Sequence, residues 1–132
     1  MKKRLDALNR IGRLEAKMRD LGQWRLSALD RERAGLSDDL RALFVALESG
    51  DLAFGPQAAL GLRRARALQR RLDALERESE RARHKAQTHG IRAKLAEEAA
   101  EAAGKAYREQ KERKELAELV ERALARRDTS QR

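Results

Sequence analysis

Residues 58–107 read AALGLRRARALQRRLDALERESERARHKAQTHGIRAKLAEEAAEAAGKAY. Apolar or small residues recur in this stretch at alternating intervals of three and four. One slot holds Ala58, Ala65, Leu72, Ser79, Ala86, Ala93, Ala100 and Tyr107, and the other holds Gly61, Leu68, Leu75, Ala82, His89, Ala96 and Ala103. Ser79 and His89 are its polar interruptions. A two-slot stripe of this length marks a helix packed along its side against another helix. Composition agrees, because the 132 residues are 40% charged and 3% aromatic, with one proline and no cysteine, the profile of a coiled coil. Such a chain buries a seam but has little with which to fill a globular interior, so one domain is expected.

The missing cysteines exclude disulfides, thiolate metal ligands and cysteine nucleophiles, and suit a reducing compartment. The basic start Met1-Lys2-Lys3-Arg4 is followed by no apolar run and does not read as a secretory signal. No apolar run approaches the roughly 20 residues that cross a bilayer, so no membrane insertion is expected and the placement is cytoplasmic.

Before the heptad stretch, residues 4–49 read as a first helix. Its larger apolar residues follow an eleven-residue rhythm, through Ala7, Met18, Leu29 and Leu40, then Ile11 and Phe44, then Leu14, Leu36 and Leu47, with Leu21 and Leu43 completing the set. That period is about 3.67 residues per turn and asks for little supercoiling. Gly22 and Gly35 each lower helix propensity by about 1 kcal/mol against alanine, which makes the middle its weakest part. A turn is expected at about 50–56, where two glycines and the only proline fall, and Gly55-Pro56 reads as the start of a second helix over about 57–127. Residues 128–132 read as a disordered tail.

The fold expected is therefore all-α, a two-helix antiparallel coiled-coil hairpin with a longer second helix. A turn centred near Phe54 pairs residues whose numbers total about 106 to 108. In that register Ile11, Leu14, Met18 and Leu21 are expected to lie over Ala96, Ala93 and Ala86, so that large residues interdigitate with small ones. Some 25 residues of the second helix project past the first. There Gln110, Lys114 and Glu121 occupy the heptad slots and a new apolar face forms at Leu116, Leu119, Val120, Ala123 and Leu124. That end reads either as a docking element or as a segment folded back on residues 1–8.

No catalytic, metal-ligating or cofactor-binding constellation emerges, and the chain reads as a non-enzyme. His84 and His89 stand five apart, about 140° around a helix, and cannot chelate as an i, i+4 pair would. Glu97, Glu98 and Glu101 read as a solvated acidic face beside Lys94 and Lys105. Charge is the feature that points outward: residues 63–94 hold eleven Lys or Arg against four Asp or Glu, most of the net charge of +9. Arg63, Arg64, Arg66, Arg70, Arg71, Arg77, Arg81 and Arg83 are suited to phosphates or an acidic protein surface. Few aromatics for stacking, and an even spread of arginines around the helix, argue against nucleic acid.

The run Glu109-Gln110-Lys111-Glu112-Arg113-Lys114-Glu115-Leu116-Ala117-Glu118-Leu119 resembles the charged stretch near the end of the second helix in the FliJ-like and YscO-like soluble components of flagellar and related type III export systems. Ala117 departs from that pattern, where an acidic residue is common. Length, basic charge, lack of cysteine and two unequal helices are also similar to that family. The resemblance implies a stalk-like coiled coil, similar to that of rotary ATPases, acting at the membrane export apparatus. Its partners would be the hexameric export ATPase and the membrane export gate protein, and Lys111, Lys114, Glu115, Leu116 and Leu119 would form the partner-binding face. A basic nucleic-acid-associated coiled coil and a purely structural helical hairpin are the alternatives.

Overall fold

The first helix is built on a strict heptad, and the residues that fill its inner slots are not its largest ones. In the computed structural model, which describes residues 1–49 and 56–130, α1 spans Lys2–Glu48 and α2 spans Pro56–Ser130, and there is no strand among the described residues. The chain is an all-α helical hairpin whose second helix is the longer, 75 residues against 47. The turn expected at about 50–56 lies outside the described residues except for Pro56, which opens α2 as a proline in a first helical turn should. Of the tail expected to be disordered over 128–132, residues 128–130 instead continue α2, and residues 131 and 132 lie outside the described residues. Two side-chain hydroxyls near that end bond back to carbonyls of the preceding turn: Thr129 Oγ1 donates to the Ala125 carbonyl at 2.8 Å and Ser130 Oγ to that of Arg127 at 3.0 Å. At the end of α1, Ser49 acts likewise, its amide donating to the Val45 carbonyl at 2.9 Å and its hydroxyl to that of Ala46 at 3.0 Å.

The chain divides into two units, Lys17–Gly90 and Met1–Ala16 with Ile91–Arg132. In the Lys17–Gly90 unit, the α2 stripe turns inward as its spacing requires: Ala65, Leu75, Ser79, Ala82 and Ala86 are buried. Facing them, α1 offers Arg19, Gly22, Leu26, Leu29, Arg33, Leu36, Leu40, Leu43 and Leu47, again at intervals of three and four, all buried or half-buried. Leu29, Leu75 and Ala82 form the densest cluster, with Leu26 and Leu36 packed on it. A Cβ placed on Gly22 would stand 3.1 Å from the Ala86 Cβ and 3.4 Å from its Cα, so the two backbones approach about as closely as alanine allows. Gly61 is covered in the same way by the Leu47 side chain. Gly22–Ala86 and Gly61–Leu47 each total 108, which is the antiparallel register expected from the position of the turn. Ion pairs among the described residues also cross the seam, Arg71–Glu32 at 2.9 Å and, with Glu78 half-buried, Arg25–Glu78 at 3.9 Å.

In the other unit, Ala93, Ala96 and Ala100 are buried, Ala103 and Tyr107 half-buried, and α1 contributes Leu5, Leu8, Gly12 and Glu15. Gly12 lies over Ala96 and Gly104 over Leu5, the would-be Cβ contacts being 3.6 and 3.8 Å. The antiparallel order is the same.

The face of α1 differs from the sequence expectation. Ile11 and Leu14 in one unit, and Met18 and Leu21 in the other, are 41 to 62% exposed rather than laid over the alanines. The eleven-residue rhythm follows the larger of two stripes. The packed one is the heptad that carries Gly12 and Gly22, because helices drawn together over alanines leave room between them for glycine and not for leucine. Leu29, Leu36, Leu40, Leu43 and Leu47 belong to both stripes, which is why the register survives the change of face.

Two outcomes follow from this packing. Glutamate at Ala93 or Ala96 should cost at least about 2 kcal/mol, since a carboxylate would enter a seam sized for methyl groups, whereas Leu14→Glu and Leu21→Glu should stay within about 0.5 kcal/mol of the parent. Thermal melts followed by circular dichroism distinguish them, and a lower midpoint for both leucine variants would restore the eleven-residue face. The Ser79 side chain is 1% exposed and its hydroxyl has no hydrogen-bond partner. Ser79→Ala should therefore raise stability by about 1 kcal/mol, by removing an uncompensated buried polar group and improving helix propensity, and urea unfolding would read the gain.

Candidate functional site

Beyond Tyr107 the seam ends, and every residue from 108 to 130 is exposed. The segment is helical on local grounds. It has no Gly or Pro, is rich in Glu, Arg, Leu and Ala, and places Glu109 one turn before Arg113 and Glu118 one turn before Arg122, the favourable order for such pairs. It does not fold back on residues 1–8, the second of the two arrangements its apolar face allowed: Leu116, Leu119, Val120 and Leu124 are 51 to 63% exposed.

The five residues expected to form one docking face fall on two. Lys111, Lys114 and Glu115 line a shallow groove together with Tyr107, Gln110 and Glu118. Leu119 lies at the edge of that row and Leu116 about 100° around the helix from Glu115, on the apolar side with Val120 and Ala123. The end of α2 thus presents a charged face beside an apolar one. A five-residue run read linearly crosses both.

On the outer side of α2 in the Lys17–Gly90 unit, the basic residues are less evenly spread than the sequence alone suggests. Once the inner slots are fixed, Arg63, Arg70 and Arg77 occupy a single row opposite the seam, and all three are exposed. Arg71 instead turns toward α1, where its Nη2 donates to Glu32 Oε1. That hydrogen bond, with the attraction of the same carboxylate, raises the guanidinium above its ordinary pKa and keeps it charged. Arg83 is held by Glu80 within its own helix.

A third surface is one that sequence reasoning misses. Lys17, Asp20, Leu21 and Trp24 line a mainly apolar groove on α1, and Trp24 is 79% exposed. The signal is present in Leu21 and Trp24, apolar residues three apart on one side of the helix, but size-weighted patterning assigns Leu21 to the seam.

Among the described residues no group of three or more His, Cys, Asp or Glu is placed to hold a metal ion, and no helix is long and apolar enough to cross a membrane. His84 is exposed and His89 is half-buried at its heptad slot. Comparison with protein-family models, with curated proteins and with solved structures gives no match to this chain.

Because the seam is complete by Tyr107, removing residues 111–132 should shift the unfolding midpoint of the remaining hairpin by only a few degrees while reducing helical signal in proportion to the residues lost. A large drop in the midpoint would mean that this end packs on the hairpin in solution.

Proposed function

We propose that this chain is a non-enzymatic coiled-coil component of a flagellar or related type III protein export apparatus, promoting assembly of the export ATPase hexamer or coupling it to the membrane export gate. The observation that carries the reading is the end of α2, a preformed helix exposed on every side from residue 108 to 130 yet bearing Leu116, Leu119, Val120 and Leu124 on one flank. A helix whose apolar flank is left uncovered by its own chain is suited to a groove on another protein. It also binds at lower cost, because the segment is already ordered before association. In this reading the charged face of Lys111, Lys114 and Glu115 would set orientation while Leu116 and Leu119 supply buried area. The similarity of residues 109–119 to the charged run of the export-apparatus family is the second support.

In this mechanism no bond is made or broken by the chain. It acts by holding ATPase subunits at a common axis, or by passing their conformational state to the gate, and the free energy comes from nucleotide hydrolysis in the partner.

The test is binding to a purified hexameric export ATPase at moderate salt, with stimulation of its ATPase activity as a second readout. Leu116→Ala with Leu119→Ala should weaken binding on the order of tenfold or more, the usual scale for losing two central apolar anchors. Lys114→Glu should alter the salt dependence of binding. Full affinity after removal of residues 111–132 would sink the assignment of this end. Binding to DNA in place of the ATPase would favour the nucleic-acid class, and binding to neither would favour a structural hairpin.

A further inference from the structure

On the outer side of α2, two rows lie between the packed slots. One holds Leu60, Ala67 and Ala74 and the other Arg63, Arg70 and Arg77. Taken together, the six recur at alternating intervals of three and four, which is the spacing of the seam itself, but on the opposite side of the helix. Leu60 is 62% exposed, Ala67 and the three arginines are exposed, and Ala74 is half-buried. None of the three guanidinium groups makes an ion pair among the described residues. Of the acids near the row, Asp73 accepts from Gln69 at 3.1 Å and Glu80 is bonded by Arg83, and with Glu76 they lie beside Arg77 on the same surface, while no acid flanks Arg63.

The geometry points to a second helix-binding seam on α2, over residues 60–77, whose occupant is an acidic helix of another protein that carries carboxylates at seven-residue intervals. This surface is distinct from the end of α2 and independent of the export reading. Seven residues rise about 10.5 Å along a helix, so successive guanidinium groups of the row repeat at about that distance. A helix laid alongside offers carboxylates at the same repeat when they stand seven apart, and each arginine then meets one partner in register. Guanidinium groups alone would suit phosphates equally well. The alternation with Leu60, Ala67 and Ala74 decides between them, because Ala67 and Ala74 let a second helix approach closely, Leu60 gives its apolar row a surface to bury, and none of the three offers anything to a phosphate backbone. Nor is there a Phe, Tyr or Trp between Pro56 and Ala106, or a His between residues 60 and 77, on which a base could stack. A second copy of the chain does not meet the need, since no three of its acidic residues follow one another at seven-residue spacing.

Fluorescence anisotropy on the full chain at low ionic strength tests this, with three labelled probes. The first is a synthetic helical peptide of about four heptads with Glu at one position of each heptad beside Ala and Leu. The second has the same composition with the glutamates moved to eight-residue spacing, and the third is a short duplex DNA. The first peptide should bind, and the eight-residue peptide should bind on the order of tenfold more weakly. Arg63→Gln with Arg70→Gln and Arg77→Gln should reduce binding of the first peptide by a similar factor, and the single reversal Arg70→Glu should do so in part. Ala67→Leu with Ala74→Leu should weaken the peptide and leave DNA binding unchanged. All these positions face away from the packed seam, so melting midpoints should stay near that of the parent. Equal binding of both peptides, no loss in the arginine variants, or DNA bound more tightly than the first peptide with no effect of the leucine pair would overturn the proposal.

Discussion

Alanine on α2 sets how near the two helices lie, and that closeness governs which residues of α1 are inside. In the Lys17–Gly90 unit the limit is seen at Gly22, where even one added carbon would stand 3.1 Å from Ala86. In the other unit Gly12 meets Ala96 under a slightly looser fit. Packing of this kind gains less from transfer of apolar area than a leucine seam does, and relies more on dense contact between backbones. Leucines supply the difference at Leu29 and Leu75, which cluster with Ala82 and have Leu26 and Leu36 around them. Breaking the close approach would therefore cost more than the small residues suggest, because the helices would separate over a length and not at a point.

The same constraint decides what is left outside. Residues too bulky for the narrow part of the seam, Met18 and Leu21 in one unit and Ile11 and Leu14 in the other, are turned toward solvent together with Trp24. Their exposure is a consequence of how the seam is filled, which makes them weak evidence of a partner when taken alone. The exposed leucines at the end of α2 are different in kind. No helix of the same chain covers any row there, so packing explains neither their presence nor their spacing.

The α2 stripe was legible from the sequence to its last member, because a row of small and apolar residues interrupted only twice over seven heptads suits a packed helix and little else. The register was legible too, since it depends on where the chain turns and on little besides. The face of α1 was not. Hydrophobic patterning weights a residue by its size, and on α1 the larger residues form the outer stripe while Gly12, Glu15, Arg19 and Gly22 hold inner slots. Only the identity of the opposite face, largely alanine, carries the correction, and it must be applied across helices rather than along one. The candidate docking residues were legible as a run but not as a surface, since Lys111, Lys114 and Glu115 share a groove that Leu116 does not line.

Charge on α2 is sorted by the same geometry. Inner slots hold no Lys, Arg, Asp or Glu up to Tyr107, their polar members being Ser79 and the half-buried His89, so arginines between residues 63 and 83 are confined to the remaining rows. Those nearest α1 find acids there, as Arg71 finds Glu32. Those farthest from it, Arg63, Arg70 and Arg77, have no facing helix among the described residues from which an acid could reach them, and stand exposed. A run of basic residues that looks uniform along the chain thus separates into a part turned toward the acids of α1 and a part turned away from them. Past Tyr107 no row is inner, the exclusion lapses, and Gln110, Lys114 and Glu121 enter the former heptad slots without structural cost. The loss of the stripe and the exposure of the end are one event seen in sequence and in structure.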